Sequence, residues 1–327
     1  MSETSHDDVG AAAADLFDKY LLPKAALTII LTASLVGTAV AVRLSTDWTW
    51  GIALAKWGYF VALGTLTGGL VWKHAFVRPS DVGAAVEGYC RRMYDRFDRI
   101  ALLAVGVLAV TALVVLPSYP APVRGGPWWT LAFAGVVLLG ALAVLTALRS
   151  APPDEQFRSP TGVLALAAAL IAVVGSARLE VLLRSGGVVA FGVRTLHLLA
   201  FGVWVGGAVW NIFVAVPSGQ TRPTVPVIRA AGEQLERFRW AVRIIIPTLL
   251  LTGLLQSVEV FGLRLAPYVE TAVGLAVLAK VGLVALLVGI FVTCPMWRAC
   301  SPIDGVCELE DLEDDHADRR AEVAGDA

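Results

Sequence analysis

The chain has 327 residues, of which 57% are hydrophobic and only 16% charged. That composition excludes an ordinary soluble domain and describes a polytopic membrane protein. The formal net charge of -1 excludes a nucleic-acid partner held by bulk basicity.

Eight apolar runs follow one another, near 24–43, 55–77, 99–117, 127–148, 160–177, 192–216, 240–261 and 270–293. Each has the length an α-helix needs to cross about 30 Å of hydrocarbon. The expected fold is an all-α polytopic membrane bundle of eight transmembrane helices, in which every backbone group is satisfied within its own segment. An acidic, Ala-rich leader (1–23) precedes the first run. It lacks a basic n-region, so no removable signal peptide is expected. Beyond residue 293 an acidic tail (294–327) is expected to stay solvated.

The near-neutral total hides a partition. Five acids precede residue 24, ten lie between Asp304 and Asp326, and the interval between these two acidic ends is basic. Most of its Lys and Arg fall in the second, fourth and sixth connections, among them Arg91, Arg92, Arg96, Arg229 and Arg239. The excess of Lys and Arg marks the cytoplasmic side. The expectation is a multi-pass protein of the cytoplasmic membrane with both termini inside. Two basic stretches, Glu87–Phe97 and Glu233–Phe238, are expected to form short interfacial helices against anionic headgroups.

An offset of 138 places the second run on the sixth. Lys56 then falls on Arg194, Gly64 on Gly202, Gly68 and Gly69 on Gly206 and Gly207, and Trp72 on Trp210; three residues more bring Phe97 onto Phe238. The register predicts a duplication (24–148 and 149–293), and copies with an even number of spans insert in parallel. The glycines are expected to serve packing, since small residues let helix backbones approach. Trp50, Trp128, Trp129, Tyr119 and Tyr268 are expected at the headgroups.

Ligand-type side chains within the spans are few. An ionisable residue there is a functional candidate by default, which singles out His197 in the sixth run and Lys280 in the eighth. Glu259, expected at a similar depth, is a candidate to accept a hydrogen bond from the His197 ring and fix its tautomer; a structural histidine is the plainer alternative. A haem held by His197 and His74 is not supported. On the repeat His74 corresponds to Ile212, fifteen residues beyond His197, a depth difference of about 22 Å at roughly 1.5 Å per residue. Cys294, Cys300 and Cys307 lie too far apart for a zinc or redox CxxC motif, and remain candidate cytosolic copper ligands because thiolates select Cu(I). No nucleotide-binding loop or nucleophile elbow is present, and an enzyme is not expected.

His197 with Trp204-x-Gly206-Gly207 seven residues on, Arg237-Phe238 opening the next span, Thr252-Gly253 within it and Thr271-x-x-Gly274 with Lys280 closing the set together resemble the copper-resistance D (CopD) family of inner-membrane proteins. The resemblance covers the sixth to eighth spans. It departs at Val273 and Leu275, where the family usually has a tyrosine and an arginine, and in the first half Tyr59 and Leu66 stand for His197 and Trp204. It implies an eight-helix protein that moves copper or confers copper tolerance, often beside an extracytoplasmic copper-binding protein. His197, Trp204, Arg237 and Lys280 are the positions matching the family pattern, with His197 as the outer copper ligand. Two further readings remain: a respiratory subunit using haem or quinone near His197, and a non-transporting receptor for a copper chaperone.

Overall fold

The computed structural model describes residues 21–45, 49–77, 86–148, 152–184, 186–222 and 224–293. The leader up to residue 20 and the tail from residue 294, with Cys294, Cys300 and Cys307, lie outside them. Eight long helices occur among the described residues, one for each apolar run: α1 (Leu21–Ser45), α2 (Trp50–Val71), α3 (Glu87–Val115), α4 (Pro127–Leu148), α5 (Pro160–Leu182), α6 (Val188–Val209), α7 (Val225–Phe261) and α8 (Ala272–Thr293). No strand occurs among these residues.

Local chemistry sets the helix starts. Thr49 caps α2 by accepting from Ile52 N at 3.2 Å, and Ser159 caps α5 by accepting from Gly162 N at 3.2 Å. Each hydroxyl satisfies one of the amide donors that a helix start leaves orphaned. Pro160 enters α5 in its first turn, where the missing N–H has no bond to lose.

Seven of these helices are long and apolar enough to cross a bilayer. The exception is α2, whose Lys56, glycines and threonines dilute its apolar side chains. Its environment explains the composition. Residues Ala62 to Leu70 are buried without a break, so this helix meets protein on every side along that stretch.

The two basic stretches at Glu87 and Glu233 do not form separate interfacial helices. They are the opening turns of α3 and of the 37-residue α7. Neither glycine nor proline separates Gly88 from the apolar part of α3, and i,i+4 pairs brace both segments: Arg91 to Glu87 at 2.7 Å and Arg237 to Glu233 at 3.1 Å. Tyr89, Met93, Tyr94 and Phe97 are buried in the core, not dipped into headgroups.

The core has two parts. One is built mainly from α2, α3, α4 and α5 around Tyr59, Trp72, Phe97 and Leu108. The other joins α1, α6, α7 and α8 around Trp204, Val205, Val242 and Leu287. They meet where α2 crosses α6. A Cβ on Gly68 would overlap the carbonyl oxygen of Gly202, and one on Gly206 would overlap the backbone of Gly68 and Gly69. Only glycine permits this approach, because no side chain stands between the backbones.

Contacts around the crossing are reciprocal. Trp72, after α2, meets the ring of Phe238 at 5.5 Å between centroids, while Trp210, after α6, meets that of Phe97 at 5.3 Å. Both helices then widen into π-helical turns, Trp72–Phe76 and Trp210–Ala215. Such turns are rare and concentrate at functional sites. Their starts differ by the 138 residues that separate the two glycine pairs.

Candidate functional site

Polar side chains gather at the end of the bundle where α2 and α6 begin and α5 finishes. The His197 ring is half-buried, and its Nδ1 lies 2.8 Å from Thr252 Oγ1 on α7. Thr252 is itself buried, and its hydroxyl donates to Thr248 O at 2.6 Å. While that proton stays on the helix carbonyl, the hydroxyl oxygen accepts from ring Nδ1 and the lone pair is left on Nε2; the opposite tautomer requires the hydroxyl to turn and donate to Nδ1. No described group bonds Nε2.

The residue that orients the imidazole is thus Thr252 and not Glu259. Glu259 is exposed; its charge acts on Arg184. The difference is one of position along α7 and not of helix phase. Seven residues, close to two turns, separate Thr252 from Glu259, but Thr252 faces α6 while Glu259 sits near the α7 terminus, where the chain turns away at Gly262.

Thr252 also leads into a longer network. Gln256 donates from Nε2 to Thr252 O at 3.0 Å and accepts from Arg194 Nη1 at 2.7 Å. Arg194 reaches Glu180 Oε2 on α5 at 3.5 Å. Lys56 Nζ on α2 closes on the other oxygen, Glu180 Oε1, at 2.6 Å, and Tyr119 OH donates to the same oxygen at 2.6 Å. The side chains of Lys56 and Glu180 are each 5% exposed. Beside them Tyr59 OH, at the position matching His197, pairs with Ser176 Oγ at 2.8 Å.

Glu180 is the site residue that sequence reasoning missed. A signal for it exists: it is the only acid between Glu155 and Glu233. Lys56 and Arg194, which stand 138 residues apart, converge on that one carboxylate. Tyr119, expected at the headgroups, is buried because it is the phenol donor to this carboxylate.

Lys280 lies half-buried on α8 against α1, where a Cβ on Gly37 would stand 2.8 Å from its Nζ. Two amides of the neighbouring helices are engaged elsewhere, Asn211 with Gly207 O at 2.8 Å and Gln256 with Arg194. Lys280 and Arg194 are the cations whose charges bear on the His197 ring. Trp204 is buried in the core shared by α1, α6, α7 and α8. Arg237 and Phe238 sit at the other end, where Arg237 Nη1 donates to Phe76 O at 2.7 Å, tying α7 to the π-turn that follows α2.

The arrangement can present one neutral imidazole lone pair in a positive field, beside a carboxylate fully occupied by two cations and a phenol. Among the described residues no group of three or more His, Cys, Asp or Glu is placed to enclose a metal ion. Comparisons with protein-family models, with curated proteins and with solved structures return no match.

Proposed function

We propose that this chain is an eight-span protein of the cytoplasmic membrane, both termini inside, that handles copper as a transporter or transport subunit. The observation that carries the reading is the His197–Thr252 pair: the Thr252 hydroxyl is committed to a helix carbonyl, so Nε2 holds the lone pair a metal requires. The resemblance of the sixth to eighth spans to the CopD family supplies the identity of the metal. Lys280 and Arg194 near the ring disfavour a divalent ion more than a monovalent one, which favours Cu(I). Cu(I) is also the softer ion and accepts few ligands. An extracytoplasmic copper-binding protein would supply the remaining ligands at the outer end of α6.

In this proposal α2 is the eighth span, enclosed by the others, and the halves 24–148 and 149–293 are parallel copies. The exchanged Trp72–Phe238 and Trp210–Phe97 contacts and the two π-turns support it. The excess of Lys and Arg in alternate connections supports the orientation.

Cu(I) binding to the full chain in lipid nanodiscs, measured by competition with a chelator, tests the metal role. His197→Ala is expected to weaken binding at least tenfold and to change copper sensitivity of cells at matched expression. Equal binding by wild type and His197→Ala refutes it. Copper uptake by proteoliposomes containing only this chain distinguishes a transporter from a chaperone receptor.

A further inference from the structure

The part of the core shared by α1, α6, α7 and α8 repeats one step on all four helices. Ile30, Trp204, Ile245 and Leu287 are buried together there. Seven residues nearer the His197 end, close to two turns and about 10 Å at roughly 1.5 Å per residue, the same four faces carry Gly37, His197, Thr252 and Lys280. The step runs forward along α1 and α7 and backward along α6 and α8, because the chain crosses the bundle in opposite directions in the two pairs. Contacts within this layer agree with the register. His197 Nδ1 lies 2.8 Å from Thr252 Oγ1, and a Cβ on Gly37 would stand 2.8 Å from Lys280 Nζ.

The layer holds an unbalanced charge. No described group bonds Lys280 Nζ, and α1, α6 and α8 carry no acidic residue. Of the acids elsewhere at this end, Glu180 is occupied by Lys56, Arg194 and Tyr119, while Glu259 and Glu270 are exposed. Gly37 leaves room for the ammonium against α1 but offers it no side chain. A charge inside a span calls for a partner. Water can satisfy the three donors of the ammonium but not its charge.

In the same layer stands a Lewis base. While the Thr252 proton stays on its helix carbonyl, His197 Nε2 carries a lone pair. A bare metal cation arriving there meets the lone pair and the repulsion of Lys280 together. A metal ion that carries one singly charged anion meets both groups with complementary charge, the metal toward Nε2 and the anion toward Nζ. The surroundings favour the same species. α7 packs on α6 and α8 on α1, with little contact between α7 and α8, so the layer is reached from the side between them. The exposed side chains of these two helices, among them Leu254, Leu255, Leu278 and Val281, admit a neutral complex more readily than a bare ion.

We propose that this layer takes Cu(I) together with a singly charged anionic ligand such as a halide, as one neutral complex, with the metal on His197 Nε2 and the anion against Lys280 Nζ. This form of the cargo rests on the copper reading above and gives Lys280 a task within it. The ammonium supplies the counter-charge of the anion, and the ring supplies the second ligand of a two-coordinate metal ion. Neither the oxidation state of the metal nor any bond of the chain changes.

The test is Cu(I) binding by the full chain in nanodiscs of zwitterionic lipid, with free Cu(I) fixed by a chelator and sulfate exchanged for bromide at constant ionic strength. Wild type is expected to bind Cu(I) at least tenfold more tightly in bromide, and X-ray absorption at the copper edge is expected to show a bromine neighbour. Both measurements are made on the unmodified chain. Lys280→Met replaces the charge by an apolar side chain; it is expected to lose the bromide effect and the bromine neighbour, with a thermal midpoint equal to or above that of wild type. Equal affinity of wild type in sulfate and bromide, or a bromine neighbour that persists in Lys280→Met, overturns the paired cargo and leaves the copper reading standing. Failure of wild type to bind Cu(I) in either salt overturns both.

Discussion

Glu180→Gln tests whether the carboxylate between α2, α5 and α6 holds the bundle together. The wild-type carboxylate accepts from Lys56 and Tyr119 at 2.6 Å each and from Arg194 at 3.5 Å. An amide of the same shape keeps one acceptor oxygen but turns an NH2 group toward a cation and removes the negative charge. Lys56, whose side chain is 5% exposed, cannot recover that loss from water. Removing one member of such a buried pair typically costs about 3–5 kcal/mol. Arg194 is less affected, because its side chain is 20% exposed and Gln256 still accepts from it at 2.7 Å. Most of the penalty therefore belongs to Lys56, so Lys56→Met added to Glu180→Gln is expected to restore part of the stability, with a coupling of about 0.5–3 kcal/mol. Unfolding in mixed micelles, followed by the fluorescence of the ten tryptophans, measures both. A Glu180→Gln protein within about 0.5 kcal/mol of wild type, the range of an ordinary surface substitution, or a double variant as unstable as the sum of the two single ones, refutes the reasoning.

Other expectations follow from single contacts. Thr252→Val removes the acceptor that fixes the His197 proton on Nδ1; nitrogen NMR of the labelled ring should show the tautomers mixing, and Cu(I) affinity should fall several-fold without the loss expected of His197→Ala. Gly206→Ala places a methyl group against the backbone of Gly68 and Gly69, where no side chain can move aside; a loss of at least the about 1–3 kcal/mol typical of overpacking is expected in micelle unfolding, and a neutral result would mean that α2 and α6 do not cross there. Trp57→Phe loses donations to Ser34 Oγ at 2.9 Å and Leu31 O at 3.2 Å, an expected cost of about 1 kcal/mol; no change would show that α1 is held to α2 by packing alone.

Much of the architecture was legible because a bilayer-length apolar run has few conformations open to it, and each of the eight runs holds a helix. Helix ends were less legible. The opening turns of α3 and α7 carry charges that read as interfacial, yet their other face packs in the core through Tyr94 and Phe97 in the one case and Ile228 and Gln234 in the other. At the site, the type and depth of His197 could be read from its run, but its partner could not. Thr252 and Glu259 lie on one face of α7, two turns apart, and choosing between them requires knowing the depth at which that face meets His197. Glu180 escaped notice for a related reason. It stands two residues before the end of α5, where a charge ordinarily meets water, and only the convergence of Lys56 and Arg194 from two other helices encloses it.

That enclosure has a consequence for the order in which the chain is made. Lys56 precedes Glu180 by 124 residues (180 − 56). At roughly 5–20 residues per second, about 6–25 s pass between the synthesis of the lysine and that of its counter-charge. During that interval the nascent first half carries a lysine whose carboxylate partner has not yet been made. The lysine-bearing α2 is thus made well before α5 and α6, the helices that enclose it and supply its counter-charge.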